Sequence, residues 1–107
     1  MKTENTSPKK ESVTLAQLRQ IVGDNIRCYR NKLKWSQARL GQEAGLHNDY
    51  IGKVERGLST ISVDNLHKLA VIFHIDTAWL LVKDYCFKIQ KIAKKIGARI
   101  GVISERY

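Results

Sequence analysis

Asn48, Asp49 and Lys53 bring an amide, a carboxylate and an ammonium group together within one short stretch of chain. At helical spacing they share a face with Gly52, opposite Ile51 and Val54. Such groups can read base edges. Asn bonds bidentately to adenine, Asp accepts from cytosine N4, and Lys donates to guanine or a phosphate. Gly52 reads nothing directly but permits close approach. The same residues on an ordinary solvated helix would have no such role, so the reading depends on the elements that present them.

Those elements are two short helices joined by a glycine turn. Ser36 is an N-cap for Gln37–Ala44, whose expected buried set is Ala38, Leu40 and Ala44. Gly45 suits the left-handed residue that ends such a helix. A third helix is expected from Asn48 to Arg56, with Ile51 and Val54 inward and Gly57 beyond its end. A tight turn makes the two helices cross steeply, and the second then projects. Only a protruding helix or ribbon enters the major groove, which is about 12 Å wide.

The rest of the chain supplies a scaffold. Leu15, Leu18, Val22, Ile26, Tyr29 and Leu33 recur at helical steps, capped by Ser12 or Thr14, with Gly23 a candidate break. Ser62 caps a helix carrying Leu66, Leu69, Ala70 and Phe73. Thr77 is expected to cap a fifth with Trp79, Leu80 and Val82 as its burial candidates. No strand alternation is seen through residue 82, so the fold class is all-α. Tyr85, Ile89, Ile92, Ile96, Ile100 and Ile103 form a stripe, with Lys88, Lys91, Lys94, Lys95 and Arg99 largely off it. This is a basic amphipathic helix weakened by Gly97 and Gly101. The expected organisation is a tail (1–13), a DNA-binding domain (14–82) and a C-terminal extension (83–107) for dimerisation or packing.

The run Ser36-Gln37-Ala38-Arg39-Leu40-Gly41-Gln42-Glu43-Ala44-Gly45-Leu46 resembles the first helix and turn of the phage-repressor, or Cro/lambda-repressor-like, helix-turn-helix family. Tyr50-Ile51-Gly52-Lys53-Val54-Glu55-Arg56-Gly57 resembles its recognition helix. Leu66-His67-Lys68-Leu69-Ala70 and Thr77-Ala78-Trp79-Leu80-Leu81 resemble its fourth and fifth helices. The resemblance spans residues 21–82 and implies a compact five-helix domain. It implies base contacts from Asn48, Asp49, Gly52 and Lys53, and backbone contacts from Gln37, His47, Ser59 and Thr60. It also implies an ion pair between Arg30 and Glu55. His47 departs from the Ser, Thr or Asp usual at a helix cap, and Asp49 puts negative charge near phosphates.

Composition agrees with a polyanionic partner. The net charge is +9 from 19 Lys and Arg against 10 Asp and Glu. Residues 83–107 hold 7 basic and 2 acidic groups, so the tail is the most basic part. Cys28 and Cys86 are far apart and form no CxxC, which predicts a reduced protein with two packing cysteines. His47, His67 and His74 lack metal-ligand or catalytic spacing with other residues and are expected at the surface or in packing. Trp35 and Trp79 are expected as core or hinge residues rather than base-stacking platforms. No cofactor, metal or enzymatic activity is expected. No leader or membrane span is visible, which predicts a cytoplasmic protein.

The expected function is sequence-specific binding of double-stranded DNA as a transcriptional regulator. One reading helix covers few base pairs, so a homodimer on a palindromic operator is expected. Trp79 and Leu81, or the isoleucine stripe, are its candidate interface. Repression or autoregulation is the expected outcome, in a phage, restriction-modification or toxin–antitoxin setting. Protein concentration or a protein partner is expected to control it. The competing class is an interaction protein whose basic C-terminal helix meets an acidic partner or an anionic surface.

Overall fold

The computed structural model describes residues 12–95. The expectations for the N-terminal tail and for Ile96, Gly97, Arg99, Ile100, Gly101 and Ile103 lie outside these. The elements are α1 (Leu15–Lys32), α2 (Gln37–Ala44), α3 (Asn48–Glu55), α4 (Val63–Phe73), a 3-10 helix (Thr77–Leu81) and α5 (Tyr85–Lys95). No strand occurs among the described residues, and the fold is all-α.

Local chemistry sets most boundaries. Thr14 forms a reciprocal cap with Gln17. Its hydroxyl accepts from the Gln17 amide at 3.0 Å, and its own amide donates to Gln17 Oε1 at 2.8 Å. Ser36 and Ser62 cap α2 and α4 by accepting from Arg39 and Asn65 amides. Gly45 ends α2 in the left-handed region, with φ 71°. His74 ends α4 in the same region. Thr77, expected as a cap, is instead the first residue of the 3-10 helix. Asp76 stands at the cap without a side-chain bond, and Thr77 Oγ1 lies 3.1 Å from His67 Nδ1.

The core joins Val22, Ile26 and Tyr29 of α1 to Leu40 of α2, Ile51 and Val54 of α3, and Leu66, Leu69, Ala70 and Phe73 of α4. Leu80 seals it from the 3-10 helix. Tyr29 and Phe73 stack with ring centroids 5.2 Å apart, adding to the area they bury. Leu15 and Val82, predicted inward, are exposed.

Two glycines permit close helix approaches. Gly23 does not break α1, which is continuous. A Cβ there would meet the backbone carbonyls of Val54 and Glu55, so its bare surface lets the end of α3 rest on α1. Gly41 does the same within the motif, where a Cβ would meet the Leu46 carbonyl. Ala38, expected in the buried set of α2, is exposed; Leu40 and Gly41 form the buried side of α2.

The C-terminal helix packs against α1. Asn25, fully buried, ties the two together. Its Nδ2 donates to the Leu80 and Val82 carbonyls at 3.1 and 2.8 Å, and its Oδ1 accepts from the Cys86 amide at 3.1 Å. Cys28 and Cys86 are joined by a disulfide, with Cα atoms 6.1 Å apart. This corrects the expectation of two reduced packing cysteines. Sequence separation hid the pairing, because the return of α5 onto α1 is a tertiary event. Cross-linking residues 58 apart is worth on the order of 4 kcal/mol in the chain-entropy account. The inward side of α5 is Cys86 and Ala93, with Ile89 half-buried, whereas Ile92 of the predicted stripe is exposed.

Candidate nucleic-acid interface

A buried carboxylate anchors α3 from below. Glu55, the last residue of α3, has no exposed side-chain surface. Arg30 Nε donates to its Oε2 at 2.6 Å and Arg30 Nη2 to its Oε1 at 2.9 Å, a bidentate pair. Gln37 Nε2 donates to Oε1 at 3.0 Å, and Arg27 Nε stands 3.7 Å away. Arg30 Nη1 also donates to the Trp35 carbonyl at 2.8 Å. One carboxylate therefore collects α1, the α1–α2 turn and the start of α2 around the end of α3. Several donors offset the cost of burying its charge.

The opposite side of α3 faces outward. Asn48, Asp49 and Lys53 are exposed and lie on one helical face. Gly52, expected among them, is buried. A Cβ there would sit 3.2 Å from Gln37 Oε1 and 3.3 Å from Arg56 Nη1. The Gln37 amide and Arg56 guanidinium thus lie over Gly52, where a side chain would press on both. His47 caps α3, its Nδ1 accepting from the Asp49 amide at 3.1 Å. An imidazole nitrogen here replaces the usual hydroxyl or carboxylate oxygen.

Ser59 and Thr60 lie in the loop between α3 and α4. Thr60 is held from two sides. Arg19 Nη2 donates to its hydroxyl at 2.9 Å, and the Tyr50 hydroxyl donates to its carbonyl at 3.2 Å. Asn65 Nδ2 reaches the same Tyr50 hydroxyl at 3.3 Å. Arg19, Tyr50 and Asn65 were not singled out from sequence. Only the fold brings residues 41 positions apart together, although Tyr50 within the motif was a visible signal. On α2, Arg39 pairs with Glu43 and stacks over Trp35 at 4.5 Å. Trp79, only half-buried, stacks on Tyr85 at 4.9 Å.

The arrangement presents a short helix, rigidly based and polar on its free face, flanked by a braced loop. Among the described residues no cluster of His, Cys, Asp and Glu could hold a metal ion, and no helix is long and apolar enough to cross a membrane.

Comparison with known proteins agrees with this geometry. The helix-turn-helix family matches residues 26–80. The chain is 35% identical over 66 residues to control protein C.SmaI of Serratia marcescens, covering 62% of this chain and 79% of that protein. It is 37% identical over 54 residues to control protein C.BamHI of Bacillus amyloliquefaciens, covering 50% and 67%. The crystal structure of the hypothetical transcription factor NHTF from Neisseria superimposes with a TM-score of 0.62 at 28% identity, covering 78% of this chain and 90% of that one. With its Cro/lambda-repressor-like motif in place, the chain belongs to the helix-turn-helix family of DNA-binding transcriptional regulators.

Proposed function

We propose that the chain represses transcription as a homodimer bound to a palindromic operator, with Asn48, Asp49 and Lys53 reading bases in the major groove. The observation that carries this reading is the two-sidedness of α3. Its exposed face holds those three side chains, and its buried end is locked by Glu55 and Arg30. In this reading Gln37, His47, Ser59 and Thr60 grip the DNA backbone from both ends of α3. Likeness to two control proteins favours a controlling or autoregulatory role over that of a phage repressor.

Dimerisation follows from reach, because half-sites about 34 Å apart need two reading helices. Leu81 and Val82, exposed at the end of the 3-10 helix, supply apolar surface for it. Selection of bound sequences from a random DNA pool tests the proposal. It expects a two-fold symmetric site and a complex of two chains per duplex. An asymmetric site bound by one chain would overturn the dimer, and the absence of enrichment would overturn sequence reading itself.

A second reading has one observation in its favour. Phe87 and Ile92 are exposed on α5 beside Lys88, Lys91, Lys94 and Lys95, a surface fit for an acidic protein partner. Deleting residues 83–107 would strip Cys86 and Ala93 from the interior, so point changes are the cleaner probe. Phe87→Ser with Ile92→Ser should leave operator binding intact while abolishing capture of such a partner. A loss of operator binding would instead give this face to the regulator's own assembly.

A further inference from the structure

An open hollow of about 440 Å³ lies between α1 and α5. Cys28 lines it, and Cys86 does not. Arg27, Lys32 and Lys34 surround the opening, and none of the described residues lining it is acidic. Arg27 is shared with Glu55, so Lys34 and, below about pH 8, Lys32 carry most of the available charge. Gln90 reaches into the hollow, and its Nε2 stands 2.8 Å from Cys28 Sγ and 3.5 Å from Cys86 Sγ.

We propose that Cys28 is a thiol–disulfide exchange site for a small anionic thiol that docks in this cationic hollow. Three observations converge. The disulfide is reached asymmetrically: Cys28 keeps 5% of its surface and lines the hollow, whereas Cys86 is fully buried. The approach carries positive charge, which concentrates an anionic reactant. The departing sulfur is provided for, because Cys86 sits in the first turn of α5, where the positive end of the helix favours a thiolate. Gln90 adds a donor beside both sulfurs.

The step balances as follows. The incoming thiolate attacks Cys28 Sγ, and a new S–S bond forms between them. The Cys28–Cys86 bond breaks, and Cys86 leaves as a thiolate that takes a proton from solvent. A second thiol then attacks the incoming sulfur of the mixed disulfide, releasing the oxidised small disulfide and the Cys28 thiol. Two thiols are oxidised and one disulfide is reduced. Afterwards α5 is held to α1 without a covalent link, through Asn25 and its packing.

The test uses the full oxidised chain at about pH 7, where Lys32 keeps its proton, with glutathione as the anionic probe and cysteamine and 2-mercaptoethanol as cationic and neutral probes. Each rate is followed by intact mass and normalised to the same thiol acting on a small linear disulfide. Glutathione should lead 2-mercaptoethanol by about tenfold, with cysteamine slowest. Raising salt to about 0.5 M should shrink the lead, as should Lys32→Gln with Lys34→Gln. Peptide mapping of the first adduct should place it on Cys28. An adduct on Cys86, an equal rate for all three probes, or two free thiols in the air-oxidised protein would each overturn the assignment. The salt series needs no variant, so misfolding of the double substitution leaves the test intact.

Discussion

Arg30 and Glu55 are 25 residues apart in sequence and meet as a bidentate ion pair, at 2.6 and 2.9 Å, beneath the recognition helix. The carboxylate is fully buried and the guanidinium nearly so, with 12% of its side-chain surface exposed. Taking either partner away leaves a charge in the interior without its main compensation. Arg30→Met should therefore cost about 3–5 kcal/mol of stability. Urea denaturation of the two single variants and the double Arg30→Met, Glu55→Gln checks it. The double variant should lose far less than the sum of the singles, and an additive result would show that the pair is not coupled.

At the DNA, Lys53→Ala and Asn48→Ala should each weaken binding to the selected operator by about 1–3 kcal/mol and relax base choice at one position per half-site. Titrations against the operator and single-base variants measure this. A loss uniform over all sequences would make the side chain a phosphate contact. If a dimer neutralises about 6–10 phosphates, affinity should drop roughly 10³–10⁵-fold between 50 and 200 mM salt. A flat salt response would contradict a backbone grip from both ends of α3.

Gly23→Ala should be destabilising even though alanine is the better helix former. The added Cβ would fall 2.7 Å from the Glu55 carbonyl oxygen and 2.9 Å from its carbon, both backbone atoms. Backbone cannot swing aside as a side chain does, so α3 must shift on α1. A cost of about 1–3 kcal/mol is expected, with weaker operator binding because the reading helix moves. An unchanged thermal midpoint would mean that the helices separate freely.

Lys32 gives a pH signature. Burial lowers its pKa from 10.5 to about 8, although its ammonium also lies 5.5 Å from the centre of the Tyr29 ring. Below pH 8 both folded and unfolded chains carry the proton, and the folded state bears the whole desolvation penalty. Between about pH 8 and 10.5 the unfolded chain holds more proton, so this contribution makes folding more favourable as pH rises. The stability of the natural chain relative to Lys32→Gln should thus increase across that window. Denaturation of both proteins at pH 7 and 9.5 gives the comparison, and a constant difference would rule out the shift.

Much was legible in the sequence because it is governed by local rules. Three-to-four spacing of apolar residues gave the all-α class, and Ser36, Gly45 and Ser62 marked helix ends through hydrogen bonds with their own neighbours. The family resemblance pointed to Asn48, Asp49 and Lys53, which are exposed on one side of α3. What escaped depends on residues that meet only after folding. Gly52 sits at an outward helical phase, yet Gln37 and Arg56 close over it. Thr60 takes its brace from Arg19, in another helix. Cys28 and Cys86 are two unremarkable thiols in one dimension and a covalent bridge once α5 lies along α1. Periodicity and capping are properties of a few consecutive residues, so the chain alone determines them. Which helix lies over which, and hence which groups are paired, buried or free to meet a partner, is decided by how the core closes.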